Sequence, residues 1–150
     1  MKLTKEQESK NLILTLIQYS TLVSFLIMSP WKAEGLVALS VELAGVILGI
    51  WAILAMNESK INIMPKPREG ALLVKKGPYK VIRHPMYAAI ILTLTPLIIS
   101  HFDWIRLAVL IVLYVNLYFK LKFEESLLKE YFPSYEAYMK ETKRLLPFVF

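Results

Sequence analysis

The sequence predicts an all-α fold, an integral membrane bundle of four transmembrane helices in which the last two form a helical hairpin. Hydrophobic residues make up 56% of the chain and its mean hydropathy is +0.48, which is unlike a soluble domain of this length. The longest stretches are apolar on every side rather than along one stripe, as lipid-facing helices must be. Basic residues are concentrated outside these stretches. We therefore expect a single membrane domain over residues 1–150, with a cytoplasmic connector and amphipathic C-terminal helices.

Residues 11–29 and 35–56 form the first two predicted spans. Each is close to the ~20 residues that cross ~30 Å of hydrocarbon. Lysines precede the first span, as they do in a secretory signal peptide. Its apolar run is longer than that of a signal peptide, however, and no small-x-small cleavage site follows it. We interpret this first segment as a membrane anchor.

A polar connector, residues 57–85, separates the first two spans from the third and fourth, residues 86–100 and 104–121. Only three residues join the third span to the fourth, so we expect an antiparallel helical hairpin. The third span is short, about 22 Å of helix, and Pro96 removes one backbone donor within it. This helix should therefore be tilted or kinked.

The tail, residues 122–150, is charged and aromatic, a pattern typical of interfacial helices. Sixteen of the 18 Lys and Arg residues lie in the N-terminal arm, in the connector or from Lys120 onward. Four spans place these three segments on one side, and the positive-inside rule makes that side cytoplasmic. We predict a multi-pass membrane protein whose N and C termini both face the cytoplasm.

The composition also excludes several classes of function. Cysteine is absent, which rules out disulfides and thiolate catalysis, and the two histidines fit no zinc-binding pattern, so no metal site is expected. The net charge of +6 is explained by topology signals that face anionic lipid rather than by binding to nucleic acid. The expected partners are membrane lipids and a lipophilic or lipid substrate. The oligomeric state is left open.

Residues 77–87, GPYKVIRHPMY, carry the densest group of turn-forming and polar residues. Pro85 is favoured at the first position of a helix, which places His84 near the N-cap of the third helix, where free backbone donors attract anions. There His84 is biased towards its neutral form and could hold a ligand by hydrogen bonds, with Arg83 beside it. The spacing fits equally well a helix cap at which both side chains contact lipid phosphate.

Two adjacent acids, Glu124 and Glu125, follow the fourth span at an otherwise basic border. Carboxylates beside anionic headgroups are costly without a partner. Because neighbouring helical residues point about 100° apart, one acid should face a site and the other a basic neighbour. Considered alone, the pair is better explained by surface ion pairs at helical spacing, such as Glu125 with Lys129 or Lys120 with Glu124.

Taken together, these two motifs resemble the isoprenylcysteine carboxyl methyltransferase and phospholipid methyltransferase family. The resemblance covers roughly Gly70 to Pro147 and includes GPYKVIRHPMY and EESLLKEYFPSYEAYMKETKRLLP. It implies an S-adenosylmethionine pocket formed by residues of both motifs: Tyr79, His84, Pro85, Tyr87, Glu124 and Glu125. It also implies catalytic roles for Arg83, near the methyl acceptor, and for Glu125.

Three positions depart from the family pattern, and two tail residues agree with it. Ala89 and Pro133 stand where the family has glycine, and Lys120 stands where an arginine often precedes the acids. Tyr135 and Tyr138 match the tail. The departures leave the expected cofactor in place but make the substrate less defined.

The resemblance implies in-line displacement at a sulfonium methyl group, for which the protein supplies alignment and removal of water. The acceptor is left open between a prenylcysteine-type carboxylate, a phospholipid amine and a small thiol. A carboxylate needs no base, whereas an amine must lose a proton, which His84 or one of the glutamates would take.

The second span suggests two alternative functions. Glu42 is an acid among apolar residues, and such residues are functional candidates, so a small four-helix proton-coupled transporter is the main alternative. Glu42 would lie in the outer half of its span, where Lys32, His101 or Arg106 could pair with it. The Gly45-x-x-x-Gly49 spacing would suit a non-catalytic membrane scaffold, although it suits packing within the chain better.

Overall fold

The computed structural model describes residues 4–57 and 72–145. The fold of this part is all-α, as predicted, apart from an isolated parallel bridge between Ile82 and Lys143. The elements in chain order are α1 (Lys5–Met28), α2 (Leu36–Asn57), a 3-10 turn (Gly77–Lys80), α3 (Pro85–Ser100), α4 (Trp104–Tyr131) and α5 (Tyr135–Glu141). Residues 58–71 of the predicted connector and 146–150 of the predicted tail lie outside the described residues.

Capping side chains determine where α1 and α4 begin. The Thr4 side chain accepts a hydrogen bond from the backbone of Gln7, and the Gln7 side chain accepts one from the backbone of Thr4. This reciprocal cap starts α1 ahead of its apolar run. Asp103 accepts hydrogen bonds from the backbone N–H groups of Ile105 and Arg106, both at 2.9 Å, and so starts α4 at the predicted residue.

The fourth helix continues past the predicted end of its span at residue 121 and ends at Tyr131. The sequence after Leu121 is rich in Lys, Glu and Leu, which are strong helix formers, and contains no proline before Pro133. Glu124 and Glu125 therefore lie on the same continuous helix as the apolar segment. The separate helix described in the tail, α5, has only seven residues.

Three helices are long and apolar enough to cross a membrane: Lys5–Met28, Leu36–Met56 and Trp104–Tyr131. Many of their large apolar side chains face outward, Ile27 with 79% of its surface exposed. The chain is therefore a membrane protein. α3 has 16 residues, about 24 Å of helix, and continues through Pro96. The count of four spans stays a prediction.

The helices pack in two main pairs, α2 with α3 and α1 with α4. Three residues join α3 to α4, as predicted, but the two backbones are in less extensive contact with each other than with their other neighbours. The predicted hairpin is thus a pair of consecutive helices whose main packing partners lie elsewhere. Within the described residues α1 and α2 do not pack closely on each other, which leaves space between them.

Gly45 allows α2 to approach α3 closely. A Cβ atom at this position would lie 2.7 Å from the backbone nitrogen of Thr93, much closer than van der Waals contact. Gly49 is one turn further along, where a Cβ atom would lie 3.4 Å from the Cβ of Ala89. The Gly45-x-x-x-Gly49 spacing therefore contributes to packing within the chain, as the favoured interpretation of the sequence expects.

The described part of the connector packs on the tail at one end of the bundle. The backbone N–H of Arg83 donates to the carbonyl of Lys143 at 2.7 Å, and the N–H of Lys143 donates to the carbonyl of Val81 at 3.1 Å. The Tyr138 hydroxyl donates to the carbonyl of Tyr79 at 2.6 Å. These segments share one side of the bundle, as the charge distribution predicts. The compartment that this side faces stays a prediction.

Candidate active site

The turn before α3 is formed by a glycine that packs directly against α2. Gly77 has a backbone φ of +56°, in the left-handed region that glycine adopts without a steric penalty. A Cβ atom there would lie 3.1 Å from Nε1 of Trp51 and 3.2 Å from Cβ of Ala55. Gly77 therefore satisfies both the backbone conformation and the close approach, and it sets the position of the residues that follow.

His84 is the N-cap residue of α3, as predicted, with Pro85 at the start of the helix. The backbone N–H of His84 donates to the carbonyl of Arg144 at 3.0 Å. The His84 side chain does not cap the helix and is buried. The alternative in which His84 caps the helix with its side chain and contacts lipid phosphate is therefore wrong.

Arg83 is buried in a set of hydrogen bonds with α4 and the tail. Its Nε donates to Oε1 of Glu125 at 2.8 Å. One terminal nitrogen donates to the carbonyl of Met139 at 3.1 Å and also to the carbonyl and side chain of Thr142. These partners fix the guanidinium in place, so Arg83 is not a lipid-facing cap either.

Glu125 joins two arginines. Its Oε1 accepts from Arg83, and its Oε2 lies 3.1 Å from a terminal nitrogen of Arg144. The Glu125 side chain is only 5% exposed, so the charge is matched where water is largely excluded. The predicted surface pairing of Glu125 with Lys129 is therefore wrong, since the basic partners come from the connector and the tail.

Glu124 contacts the first turn of α3. Its Oε1 accepts a hydrogen bond from the Tyr87 hydroxyl at 2.6 Å, and its Oε2 lies 3.8 Å from Nδ1 of His84. The imidazole of His84 is parallel to the Tyr87 ring, with 3° between the planes and 5.4 Å between the centroids. The sequence motif around Pro85 and the Glu-Glu pair, 37 residues apart, are thus in direct contact.

One nitrogen of His84 is left without a hydrogen bond in this arrangement. Nε2 is buried and has no hydrogen-bond partner within residues 4–57 and 72–145. It lies 3.5 Å from Oε1 of Glu125, an atom already bonded to Arg83. This nitrogen therefore faces the Arg83–Glu125 pair, slightly beyond the distance of a good hydrogen bond.

A cavity of about 410 Å³ lies beside this cluster. Five of the predicted site residues are in its lining: Tyr79, Arg83, His84, Tyr87 and Glu124. Pro85 is fully buried but does not line the cavity, and Glu125 lies behind the wall. Of the two acids, Glu124 therefore faces the cavity, and Glu125 holds Arg83 and Arg144.

Two tyrosines of the tail close the polar end of the cavity. Tyr135 and Tyr138 line it, and both are almost fully buried, with 1% and 3% of their surface exposed. Burial raises the pKa of Tyr138 to about 12, so its hydroxyl stays neutral and donates to the Tyr79 carbonyl. Burial also raises the pKa of Tyr79 and Tyr135. α5 thus packs into the site, whereas the sequence predicted tail tyrosines at headgroup level.

Sequence reasoning missed the contribution of the first two helices, to which it assigned no residue of the cofactor pocket. Side chains of α1 and α2 form the apolar part of the cavity wall: Leu22, Leu26, Val46 and Ile53. Gln18 and Lys120 also line the cavity, and Lys120 Nζ donates to Oε1 of Gln18 at 2.6 Å. Lys120 is thus buried rather than at the surface, and its hydrogen bond goes to Gln18, although its charge still interacts with that of Glu124. The available signal was an amide within an apolar helix.

Glu42 is not part of this site. It is buried, and its Oε2 accepts a hydrogen bond from the backbone N–H of Ala33 at 2.8 Å. The expected pairing with a basic residue is wrong, because His101 lies 3.8 Å from Glu34 and Arg106 lies 3.9 Å from Asp103. Glu42 thus satisfies a backbone donor just before α2.

Comparisons with known proteins agree with the site motifs. The sequence profile of phospholipid methyltransferases matches residues 33–134. The chain is also 40% identical over 67 residues to the uncharacterized protein YpbQ of Bacillus subtilis (strain 168). That alignment covers 43% of this chain and 35% of the relative, so the chain matches about a third of the relative's length. No solved structure matches the chain.

Proposed function

The chain belongs to the phospholipid methyltransferase family, and from this membership we propose that it is a membrane enzyme that uses S-adenosylmethionine to methylate a lipophilic acceptor. The observation that carries the proposal is the cavity of about 410 Å³, whose lining brings a histidine, a carboxylate and two phenol rings together. Its other walls are mostly apolar. The family match does not favour the transporter alternative based on Glu42.

The residues at the polar end suit a cationic cofactor. S-adenosylmethionine, when bound, supplies a methyl group on a positively charged sulfur. The carboxylate of Glu124 and the aromatic rings of Tyr79 and Tyr87 favour a positive charge by electrostatic and cation–π attraction. His84 also lines this end of the cavity, where its imidazole ring contacts the ligand in this proposal. We propose these four residues as the cofactor-binding set, with Pro85 fixing the start of α3.

Arg83 and Glu125 act in this proposal as positioning residues. Nε and one terminal nitrogen of Arg83 are engaged by Glu125, Met139 and Thr142, which fixes the position of its guanidinium. The Arg83–Glu125 pair instead holds the connector against α4 and keeps His84 beside Glu124. Because methyl transfer depends on alignment and on removal of water, a rigid, buried support of this kind contributes directly to the rate.

The acceptor would enter from the membrane side of the cavity. α1 and α2 both line the cavity but do not pack closely on each other, so an apolar chain could pass between them. A carboxylate acceptor would need no base. An amine acceptor would have to lose a proton, for which His84 and Glu124 are the candidate bases in the lining. We propose that the cofactor reaches the polar end from the cytoplasm.

The test is binding of S-adenosylmethionine to the full chain purified in detergent, measured by isothermal titration calorimetry. The wild type should bind, H84A should bind at least tenfold more weakly, and E42Q should bind within about twofold of wild type, because Glu42 bonds only a remote backbone group. Methyl-labelled cofactor is then offered with prenylcysteine acids, phospholipids and alkyl thiols. A wild type that binds no cofactor would overturn the proposal, and a greater effect of E42Q than of H84A would favour transport.

A further inference from the structure

Lys120 is a buried cation on the cavity wall that the proposed reaction leaves without a role. We propose that Lys120 and Gln18 form a subsite for the anionic group, a carboxylate or a phosphate, of the lipophilic acceptor. This inference rests on the proposed function and deepens it, because it assigns the chemical class of group by which the acceptor is held.

Among the described residues, Lys120 uses one of its three donors in a hydrogen bond. The residue is only 4% exposed, and its Nζ donates to Oε1 of Gln18 at 2.6 Å. An ammonium group has three N–H donors, of which the amide takes one. None of the described carboxylates lies within ion-pair distance of Nζ. The charge of Glu124 acts on Lys120 only from beyond ion-pair distance. A buried ammonium without a carboxylate in contact is unfavourable, and an anionic ligand would supply that contact.

Neighbouring charges support an anion at this position more than a cation. Glu124 lies one turn along α4, but its two carboxylate oxygens are directed at Tyr87 and His84. Arg83, the other arginine or lysine in the described lining, is paired with the carboxylate of Glu125 at 2.8 Å. Lys120 instead bonds a neutral amide, so within the described lining it is the cationic side chain without a carboxylate in contact.

The position of the subsite between the polar and apolar parts of the cavity suits an amphiphile. Lys120 precedes Glu124 by four residues, about 6 Å along the helix towards its apolar segment. Helical side chains also lean towards the N-terminus, which directs the Lys120 ammonium further into that segment. Gln18 is followed at four-residue intervals by Leu22 and Leu26, which also line the cavity. An anionic head at Lys120 would thus place its apolar chain along this face of α1.

The experiment measures binding of two matched pairs of amphiphiles in an uncharged detergent, without cofactor. One pair is N-acetyl farnesylcysteine and its carboxamide, and the other is dodecyl phosphate and dodecanol. In each pair the apolar chain is shared and the anionic group is present in only one member. Binding to the full-length protein is read by microscale thermophoresis for wild type, K120M, K120R and Q18E. K122M is the control, since it removes the same charge from an exposed position two residues away.

The proposal predicts a selective loss. K120M should weaken binding of the anionic members at least tenfold, the order expected for a charge-assisted hydrogen bond. Binding of the neutral members, and of S-adenosylmethionine in a separate titration, should stay within about twofold. K120R should retain most of the anion binding, and K122M should behave as wild type. Loss confined to the carboxylate pair or to the phosphate pair identifies the source of the anionic group.

Q18E keeps the test decisive if K120M does not fold. The new carboxylate would pair with Lys120 and occupy its donors, so anion binding should also fall at least tenfold in a protein that retains the buried pair. Anion binding equal to wild type in Q18E or in folded K120M would overturn the inference, as would a loss of cofactor affinity instead. These titrations contain no cofactor and are therefore independent of the cofactor titration. Absence of S-adenosylmethionine binding in that titration would overturn the proposed function.

Discussion

Glu124 and Glu125 are adjacent in the sequence and have different neighbours in the structure. Glu124 lines the cavity and bonds Tyr87, whereas Glu125 is enclosed by Arg83 and Arg144. The helical period predicts that the two point about 100° apart, but it does not say which of them faces a site. That choice depends on where α3 and the tail lie around α4.

Substitution of the two acids should therefore have separable effects. E124Q should weaken binding of S-adenosylmethionine about tenfold, since a charged ligand contact is lost, and should leave stability nearly unchanged. E125Q should lower the free energy of unfolding by about 3 kcal/mol, because it leaves the buried guanidinium of Arg83 without a matching charge. Calorimetric titration and denaturant unfolding in detergent measure the two quantities.

The control for both acid substitutions is E130Q, which removes an exposed carboxylate from the same helix. It should change neither quantity. Equal loss of stability in E124Q and E125Q would contradict the division of roles between the two acids.

Among single residues, Lys120 shows the limit of local spacing rules. Its partner at helical distance is Glu124, yet its ammonium bonds Gln18, which is 102 residues away in the chain. Spacing rules identify neighbours on one helix surface. They do not identify which buried face of that helix meets a second helix, and here the contact with α1 determines the partner.

At the scale of the elements, α2 and α3 are joined by small residues. Gly45 lies where α2 comes closest to Thr93, and Gly49 lies against Ala89 with space for one more carbon atom. The two glycines of this motif thus differ in the free volume beside them. In a membrane such close approach is a main source of helix association, because lipid competes for apolar contacts.

The matched pair G45A and G49A tests this difference. G45A should lower the free energy of unfolding by about 1–3 kcal/mol, since the new methyl group overlaps the backbone of α3 and forces the helices apart. G49A should be neutral or slightly stabilising, because its methyl group fits and alanine favours the helix. Thermal unfolding in detergent ranks the two variants. A larger loss in G49A than in G45A would contradict the packing described.

α4 is longer than the apolar span from which the sequence predicts it. Hydropathy placed the end of the fourth span at residue 121, where the polarity changes. The helix continues to Tyr131 because the residues that follow are good helix formers and Pro133 is the first helix breaker. The continuous helix holds both acids at a fixed height above the apolar segment.

At the scale of the whole molecule, the described connector and tail lie together at one end of the bundle. The short links before α2 and α4 are not part of this end. The charge distribution predicts that the first end faces the cytoplasm and that α3 crosses the membrane. α3 is shorter than the three long apolar helices. Its span therefore needs a direct test.

The absence of cysteine makes that test simple. Single substitutions at exposed positions, Trp31→Cys, Phe102→Cys, Lys80→Cys and Lys129→Cys, are labelled in intact cells with a membrane-impermeant maleimide. We expect labelling at Trp31→Cys and Phe102→Cys, and labelling of the two lysine positions only after permeabilisation. The wild type, which has no thiol, is the control. If Phe102→Cys behaves like Lys80→Cys, α3 does not span.

The sequence by itself determined the all-α class, the apolar helices and the two motifs that meet at the site, because hydropathy, helix punctuation and motif spacing are local properties. It also placed His84 at the start of α3. Only the tertiary structure decided that Glu124 faces the cavity, that Glu125 pairs with Arg83 and Arg144, and that Lys120 meets Gln18. These outcomes depend on how helices far apart in the chain pack together. Burial then determines which charges are neutralised within the protein and which are left for a ligand.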